Sequence, residues 1–214
     1  MADRSIIGRD IARLAGAQEI LPRGAATAAA DVTDHQSLTR AIVALTDVHG
    51  PCDVLVAAAG RAEPGYFLEL QADTFRDQMR LNYFGTLHAV RAVLPDMLTR
   101  GRGHIVLVSS VAGLLGAFGY GAYTPTKFAV RGLGEALHAE FRHEGIVTSI
   151  VYPPDTDTPG LERENLTKPG DATALRGHRP GSCGEGGRRD RPWDRTQPPA
   201  RHRRLADPNH RSTG

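Results

Sequence analysis

Short apolar runs alternate with longer helical patterns along most of the chain, and this alternation constrains the fold more than any other feature. The runs Val54–Val56 and Ile105–Val108 are apolar at every position, which is typical of strands that are buried on both faces. The segment Ser37–His49, which precedes both runs, instead repeats its apolar residues at helical spacing. Strands that alternate with helices predict an α/β fold with a doubly wound parallel sheet.

The alternation covers residues 1–169 and ends there. The predicted strands are 5–7, 25–30, 53–58, 104–108 and 147–152, and the predicted helices are 11–20, 37–49, 73–99 and 123–143. Residues 170–214 hold ten arginines against five acidic residues, and after Gly177 they contain no Ile, Val, Phe, Tyr or Met. We therefore predict one α/β domain over residues 1–169 and a low-complexity, disordered tail rich in Arg, Gly and Pro over residues 170–214.

The arginines of this tail could instead form a nucleic-acid-binding arm. Single-stranded nucleic acids are bound by aromatic side chains as well as basic ones, and the tail offers only Trp193. Residues 1–169 carry sixteen basic and nineteen acidic side chains, so the body of the chain has no basic excess. No nucleic-acid partner is predicted.

Composition also bears on the compartment. Ile105–Thr126 has no charged residue and is long enough to span a bilayer, but its glycines and Pro125 favour a strand followed by a loop. No transmembrane segment is predicted, and Met1–Asp10 lacks the apolar core of a signal peptide. Cys52 and Cys183 form no CxxC motif, which favours a reducing, cytoplasmic setting.

A tyrosine and a lysine four residues apart indicate the chemistry. Tyr123 and Lys127 would lie on one face of the helix that starts near Thr124, with the hydroxyl of Ser110 thirteen positions upstream. A nearby ammonium would lower the pKa of the phenol and make it a usable general acid near neutral pH. A phenol, an ammonium and a hydroxyl together can protonate a carbonyl oxygen. His104, His138 and His143 have no metal-ligand arrangement, so no metal site is predicted.

These residues resemble the catalytic pattern of the short-chain dehydrogenase/reductase family of NAD(P)-dependent Rossmann enzymes. Gly103–Ser110 is similar to the family's strand that ends on the catalytic serine, with Ser109 as the alternative, and Asn82 is similar to its catalytic asparagine. The segments Val151–Gly160 and Glu164–Pro169 are similar to the family's 3-ketodihydrosphingosine (3-dehydrosphinganine) reductase branch. The resemblance implies catalytic roles for Ser110, Tyr123, Lys127 and Asn82, the last by holding a water that relays protons to Lys127.

The same resemblance implies which residues bind NADP(H), with NAD(H) as the alternative cofactor. Arg9 would meet the 2′-phosphate, and Asp31 would face the adenine amino group unless it caps the next helix. Tyr123 and Lys127 would contribute at the nicotinamide ribose. The remaining predicted contacts are Ala59, Gly60, Pro153 and Thr156.

One expected element of the family has no counterpart in the sequence. The glycine-rich turn Thr-Gly-x-x-x-Gly-x-Gly, which follows the family's first strand and holds the pyrophosphate, does not occur. Because that strand lies between the second and the fourth, we expect the strand pair containing Ile6 and Ala28 to be separate from the sheet containing Leu55 and Val106.

Three functions follow as alternatives. The first is an oxidoreductase that uses NADPH to reduce a ketone, by resemblance a long-chain or other lipid-like ketone, in a homo-oligomer of the kind the family forms. The second is an inactive fragment of such an enzyme that does not bind cofactor. The third, a basic interaction module, depends on the tail alone.

Overall fold

The structure, a computed structural model, describes residues 3–21 and 25–169, and the predicted tail lies outside them. The predicted α/β class with parallel strands is confirmed. The strands are β1 (Ser5–Gly8), β2 (Ala26–Ala29), β3 (Val54–Ala57), β4 (Gly103–Val108) and β5 (Ile146–Val151). The α-helices are α1 (Ile11–Ile20), α2 (His35–His49), α3 (Ala72–Met79), α4 (Gly85–Arg100), α5 (Thr124–Phe141) and α6 (Pro159–Thr167).

The described strands form two separate parallel sheets. β1 pairs with β2 in the register Ile6↔Thr27, and β4 lies between β3 and β5 in the registers Val56↔Val106 and Val106↔Ser149. Among residues 3–21 and 25–169, no hydrogen-bond ladder joins β1 to β3. The predicted separation of the two strand groups is therefore confirmed.

The outer edge of β3 shows the consequence for burial. Val54 and Val56 remain 55% and 58% exposed, whereas Ile105 and Leu107 on the central strand β4 are fully buried. A strand that is paired on one side only presents unpaired backbone groups and its apolar side chains to solvent. β3 is thus an unprotected edge.

Helix packing connects the two sheets where strand pairing does not. α2 and α4 pack together, and their buried residues belong to one hydrophobic core with those of β4 and α5. The first turn of α4 also contacts the loop after β2, because a Cβ on Gly85 would lie 2.6 Å from Val32 Cγ2. His88 Nδ1 lies 2.9 Å from the Val32 carbonyl oxygen at the same place.

Helix boundaries follow the local sequence. The Asp34 carboxylate accepts from the N–H groups of Gln36 and Ser37 and caps α2, and the Asp10 carboxylate caps α1 through Arg13 N–H. Asp31, the alternative capping residue, lies before the cap. Pro125 occupies the first turn of α5, where the missing N–H leaves no hydrogen bond unmade.

One predicted helix is wrong in detail, and one helix of the structure was not predicted. The single helix predicted over 73–99 is two helices joined by a π-helical turn, Arg80–Phe84, which contains Asn82. α6 was not predicted at all, although Thr158 caps it and Pro159 begins it. The uncharged stretch Ile105–Thr126 is a strand, a short 3₁₀ turn, a loop and the first residues of α5. None of the helices in the described part of the chain is both long and apolar enough to cross a bilayer.

Candidate active site

A cleft of about 1170 Å³ opens at the carboxyl ends of the strands in both sheets. In parallel α/β sheets this edge is where ligands bind, because the loops that follow the strands converge there. The predicted site residues that line the cleft are Arg9, Ala59, Gly60, Ser110, Tyr123, Lys127, Pro153 and Thr156. Asp31 and Asn82 were also predicted for the site but do not line it.

Tyr123 and Lys127 face the cleft from the start of α5. Tyr123 is the residue before the first turn, and Lys127 follows one turn later, as the spacing predicts. The Lys127 ammonium donates to the Val108 carbonyl oxygen at 3.0 Å and lies 5.6 Å from the centre of the Tyr123 ring. The lysine is thus fixed against the end of β4 beside the phenol.

The predicted electrostatic effect of Lys127 on Tyr123 is wrong. Burial raises the pKa of the Tyr123 phenol above its ordinary value, and the carboxylates of Glu164 and Asp155 raise it further, while the Ser110 hydroxyl acts in the opposite direction. Burial also lowers the pKa of Lys127 to about 8. The low-polarity surroundings penalise the charged form of both groups, so the tyrosine is a protonated phenol at neutral pH.

The two serines after β4 have different environments. The Ser109 hydroxyl is buried and donates to the Lys127 carbonyl oxygen at 2.9 Å, so it ties β4 to α5. The Ser110 hydroxyl accepts from Ala112 N–H at 3.2 Å and interacts with the Tyr123 phenol. Ser110 is therefore the serine whose hydroxyl is placed to meet a ligand next to Tyr123.

The fully buried Asn82 side chain braces the wall of the cleft. Its amide oxygen accepts from Arg61 N–H at 2.9 Å, and its amide nitrogen donates to the Arg61 carbonyl oxygen and to Thr126 Oγ1, both at 3.0 Å. Gly60 lies close by: a Cβ there would lie 3.0 Å from Asn82 Oδ1. Asn82 thus links the loop after β3 to α5, and its predicted proton-relay role stays a prediction.

Arg9 and Asp31 follow the two strands of the smaller sheet. The Arg9 guanidinium lies 3.4 Å from the Asp31 carboxylate, and both side chains are partly exposed. Burial acts to raise the pKa of Asp31, but the hydrogen bonds from Thr33 and the charge of Arg9 hold it below its ordinary value. Exposed ion pairs of this kind are weak, so Arg9 can exchange its partner for a ligand phosphate.

The residues fit the two ends of a nicotinamide dinucleotide better than its middle. Arg9, directly after β1, offers a guanidinium for a phosphate, and Lys127 and Tyr123, at the start of α5, offer donors to another part of the dinucleotide. In the described part of the chain, no glycine-rich turn leads from a strand into a helix at this edge. The N–H groups that would hold a pyrophosphate there are not provided by residues 3–21 and 25–169.

A further polar group in the cleft escaped the sequence analysis. The Tyr120 hydroxyl donates to Glu164 Oε2 at 3.1 Å, and the rings of Tyr120 and Tyr123 lie 6.0 Å apart. Lys168 Nζ lies 5.3 Å from the centre of the Tyr120 ring and 3.9 Å from the Asp155 carboxylate. The i, i+4 spacing of Glu164 and Lys168 was the available signal, but it required the helix α6 to be recognised first.

A sequence profile described as short chain dehydrogenase matches residues 4–169. The chain belongs to this family. Its sequence is 51% identical over 130 residues to a protein of Dictyostelium discoideum named 3-ketodihydrosphingosine reductase, covering 60% of this chain and 39% of that protein. It is 46% identical over 136 residues to a 3-dehydrosphinganine reductase of Danio rerio, covering 64% of this chain and 41% of that protein.

A solved structure is similar in three dimensions as well. An actinorhodin polyketide ketoreductase variant with NADPH superposes with a TM-score of 0.73 at 28% sequence identity, over 76% of this chain and 64% of that one. The chain spans about two fifths of the length of the two curated relatives.

Burial of Lys127 predicts a pH-dependent stability. In the unfolded chain the lysine keeps the ordinary pKa of 10.5, whereas in the folded chain its pKa is about 8. Between these two values the unfolded state binds more protons, so the free energy of unfolding rises with pH, by up to about 3 kcal/mol from this group. The variant Lys127→Met should lack this rise in urea denaturation from about pH 7 to about pH 9.5. Equal slopes in the two proteins would contradict a buried, weakly basic Lys127.

Proposed function

We propose that the chain is an NAD(P)H-dependent oxidoreductase that reduces a ketone to a secondary alcohol. The observation that carries the proposal is the convergence of Ser110, Tyr123 and Lys127 on one cleft at the carboxyl edge of the strands. When bound, a reduced nicotinamide supplies the hydride that reaches the carbonyl carbon. The side chains of the cleft then have to orient the ketone and protonate its oxygen.

The positions of the three side chains support a division of roles. The Ser110 hydroxyl, next to the phenol, would hydrogen-bond the carbonyl oxygen and the alkoxide that develops from it. Tyr123, protonated at neutral pH, would donate its proton to that oxygen. The Lys127 ammonium, held by the Val108 carbonyl, would hold the ribose of the cofactor.

We further propose a long-chain ketone of the 3-ketodihydrosphingosine type as the substrate. The names of the relatives support this class, and so do the apolar residues of the cleft, Leu115, Phe118 and Leu161. Leu115 and Phe118 are 56% and 46% exposed, so they can cover an alkyl chain on binding. The proposal also includes a cytoplasmic location, which the cysteine content favours, and a homo-oligomeric state, which the family resemblance implies.

Cofactor titration tests the proposal. Arg9→Ala should raise the Kd for NADPH about tenfold or more, because a charge-assisted hydrogen bond to the 2′-phosphate is lost, and should leave the Kd for NADH unchanged. Nicotinamide fluorescence measures both. Arg4→Ala, which removes an exposed arginine outside the cleft, is the matched control. Equal losses for NADPH and NADH would contradict the assignment of Arg9.

A second candidate function is a fragment that does not bind cofactor. Two observations favour it: the described residues provide no pyrophosphate-binding turn, and no strand pairing joins their two sheets. Wild-type chain that shows no NADPH binding at millimolar concentration would establish this alternative and exclude the reductase. Binding together with ketone-dependent oxidation of NADPH would exclude the fragment.

A further inference from the structure

Glu164 places a carboxylate in the cleft beside the reacting phenol. The residue lies on α6, which follows the last strand of the larger sheet and closes over the cleft. Its Oε2 atom accepts from the Tyr120 hydroxyl, whose ring neighbours that of Tyr123. The charge of Glu164 is close enough to Tyr123 to raise the pKa of the phenol. A ligand carbonyl that meets Tyr123 therefore lies in the same cleft as this carboxylate.

The surroundings of Glu164 leave its negative charge incompletely compensated. The carboxylate is partly buried, and burial raises its pKa, against the hydrogen bond from Tyr120 and the charge of Lys168. The Lys168 ammonium lies 3.9 Å from the Asp155 carboxylate and over the Tyr120 ring, so this one cation is shared with a second acid. A carboxylate can accept about four hydrogen bonds, and the bond from Tyr120 uses one of these positions. A cationic group entering the cleft would supply the missing partner.

The cleft thus combines three recognition elements in one place. Ser110 and Tyr123 meet a carbonyl oxygen, Glu164 meets a positive charge next to it, and Leu115, Phe118 and Leu161 meet apolar surface. A ketone with an ammonium on the carbon adjacent to the carbonyl and an alkyl chain beyond matches all three.

We propose that Glu164 binds the ammonium of an α-amino ketone and thereby selects such ketones over plain ketones of the same length. This inference rests on the proposed ketone reductase function, because it places the carbonyl at Tyr123. Glu164 is a specificity-determining residue in this proposal and takes no part in proton transfer.

Direct binding without cofactor tests the inference. The probes are a water-soluble 2-amino-3-ketone and the matched 3-ketone without the amino group, titrated into the full chain at neutral pH by ligand-observed NMR. The wild type should bind the amino ketone about tenfold more tightly, the value of a charge-assisted hydrogen bond in a partly buried site. Glu164→Gln should abolish this difference, since the amide can still accept from Tyr120 but has no charge.

A control on the same helix isolates the effect. Glu162 is exposed and lies outside the lining of the cleft, so Glu162→Gln removes an equal charge and should keep the tenfold preference. Circular dichroism of each variant verifies the fold. The inference is overturned if Glu164→Gln retains the preference, if the wild type shows none, or if neither ketone binds. If the wild type prefers the amino ketone but shows no NADPH-dependent reduction of it, the reductase proposal is contradicted and the assignment of Glu164 to ammonium binding stands.

Discussion

Replacing Tyr123 with phenylalanine is expected to lower kcat for ketone reduction by about 10²- to 10⁴-fold, the usual contribution of a positioned general acid. The phenol is buried, protonated at neutral pH and adjacent to Ser110, so its hydroxyl is the proton source in the cleft. The variant keeps the ring and its packing against Tyr120. Steady-state oxidation of NADPH at saturating ketone and saturating NADPH measures this loss in kcat.

Tyr83→Phe is the matched control for this experiment. Tyr83 is a half-buried tyrosine that packs against the core and against Phe84, and it does not line the cleft. Its conversion to phenylalanine also removes a phenolic hydroxyl and should leave kcat unchanged. If Tyr123→Phe turned over as fast as Tyr83→Phe, another group would have to be the proton donor.

Replacing Asn82 with alanine is expected to reduce the free energy of unfolding by about 2–4 kcal/mol. The change removes three hydrogen bonds at a fully buried position and leaves the N–H and carbonyl groups of Arg61 without their partner. The bond to Thr126 is buried, and a buried polar group that loses a partner costs more than the average hydrogen bond contributes. Urea denaturation, monitored by circular dichroism, measures this loss in the free energy of unfolding.

The exposed Asn165 on α6 offers the control for that measurement. Asn165→Ala should change the free energy of unfolding by less than about 0.5 kcal/mol, as surface substitutions commonly do. A similarly small loss in Asn82→Ala would show that the link between the loop after β3 and α5 is dispensable for stability.

Local periodicity was sufficient to predict much of the fold. The predicted helix 11–20 agrees with the structure because it depends on apolar spacing. The strand order on either side of the gap also agrees, and it was implied by the family resemblance. The turn at Arg80–Phe84 was not predictable in this way. It is set by the buried Asn82, which needs partners on a loop twenty-one residues away in sequence.

The candidate site likewise has features that residue spacing predicts and features that depend on tertiary packing. The common location of Tyr123 and Lys127 follows from the spacing of four, but the direction of their pKa shifts depends on burial, which spacing does not reveal. Glu164 was noticed only as part of a subfamily motif. Its location beside Tyr120 depends on how α6 returns over the cleft, a tertiary contact between residues forty-four positions apart.

The absence of a ladder between β1 and β3 among the described residues has a thermodynamic consequence. Cooperativity between the strand pair β1–β2 and the remainder is transmitted by side-chain contacts such as those of α2 with α4, without backbone hydrogen bonds across the gap. Side-chain contacts of this kind can be lost locally while the three-stranded sheet keeps all its ladder bonds. A two-state denaturation analysis therefore applies to this chain only if probes in each sheet report the same midpoint.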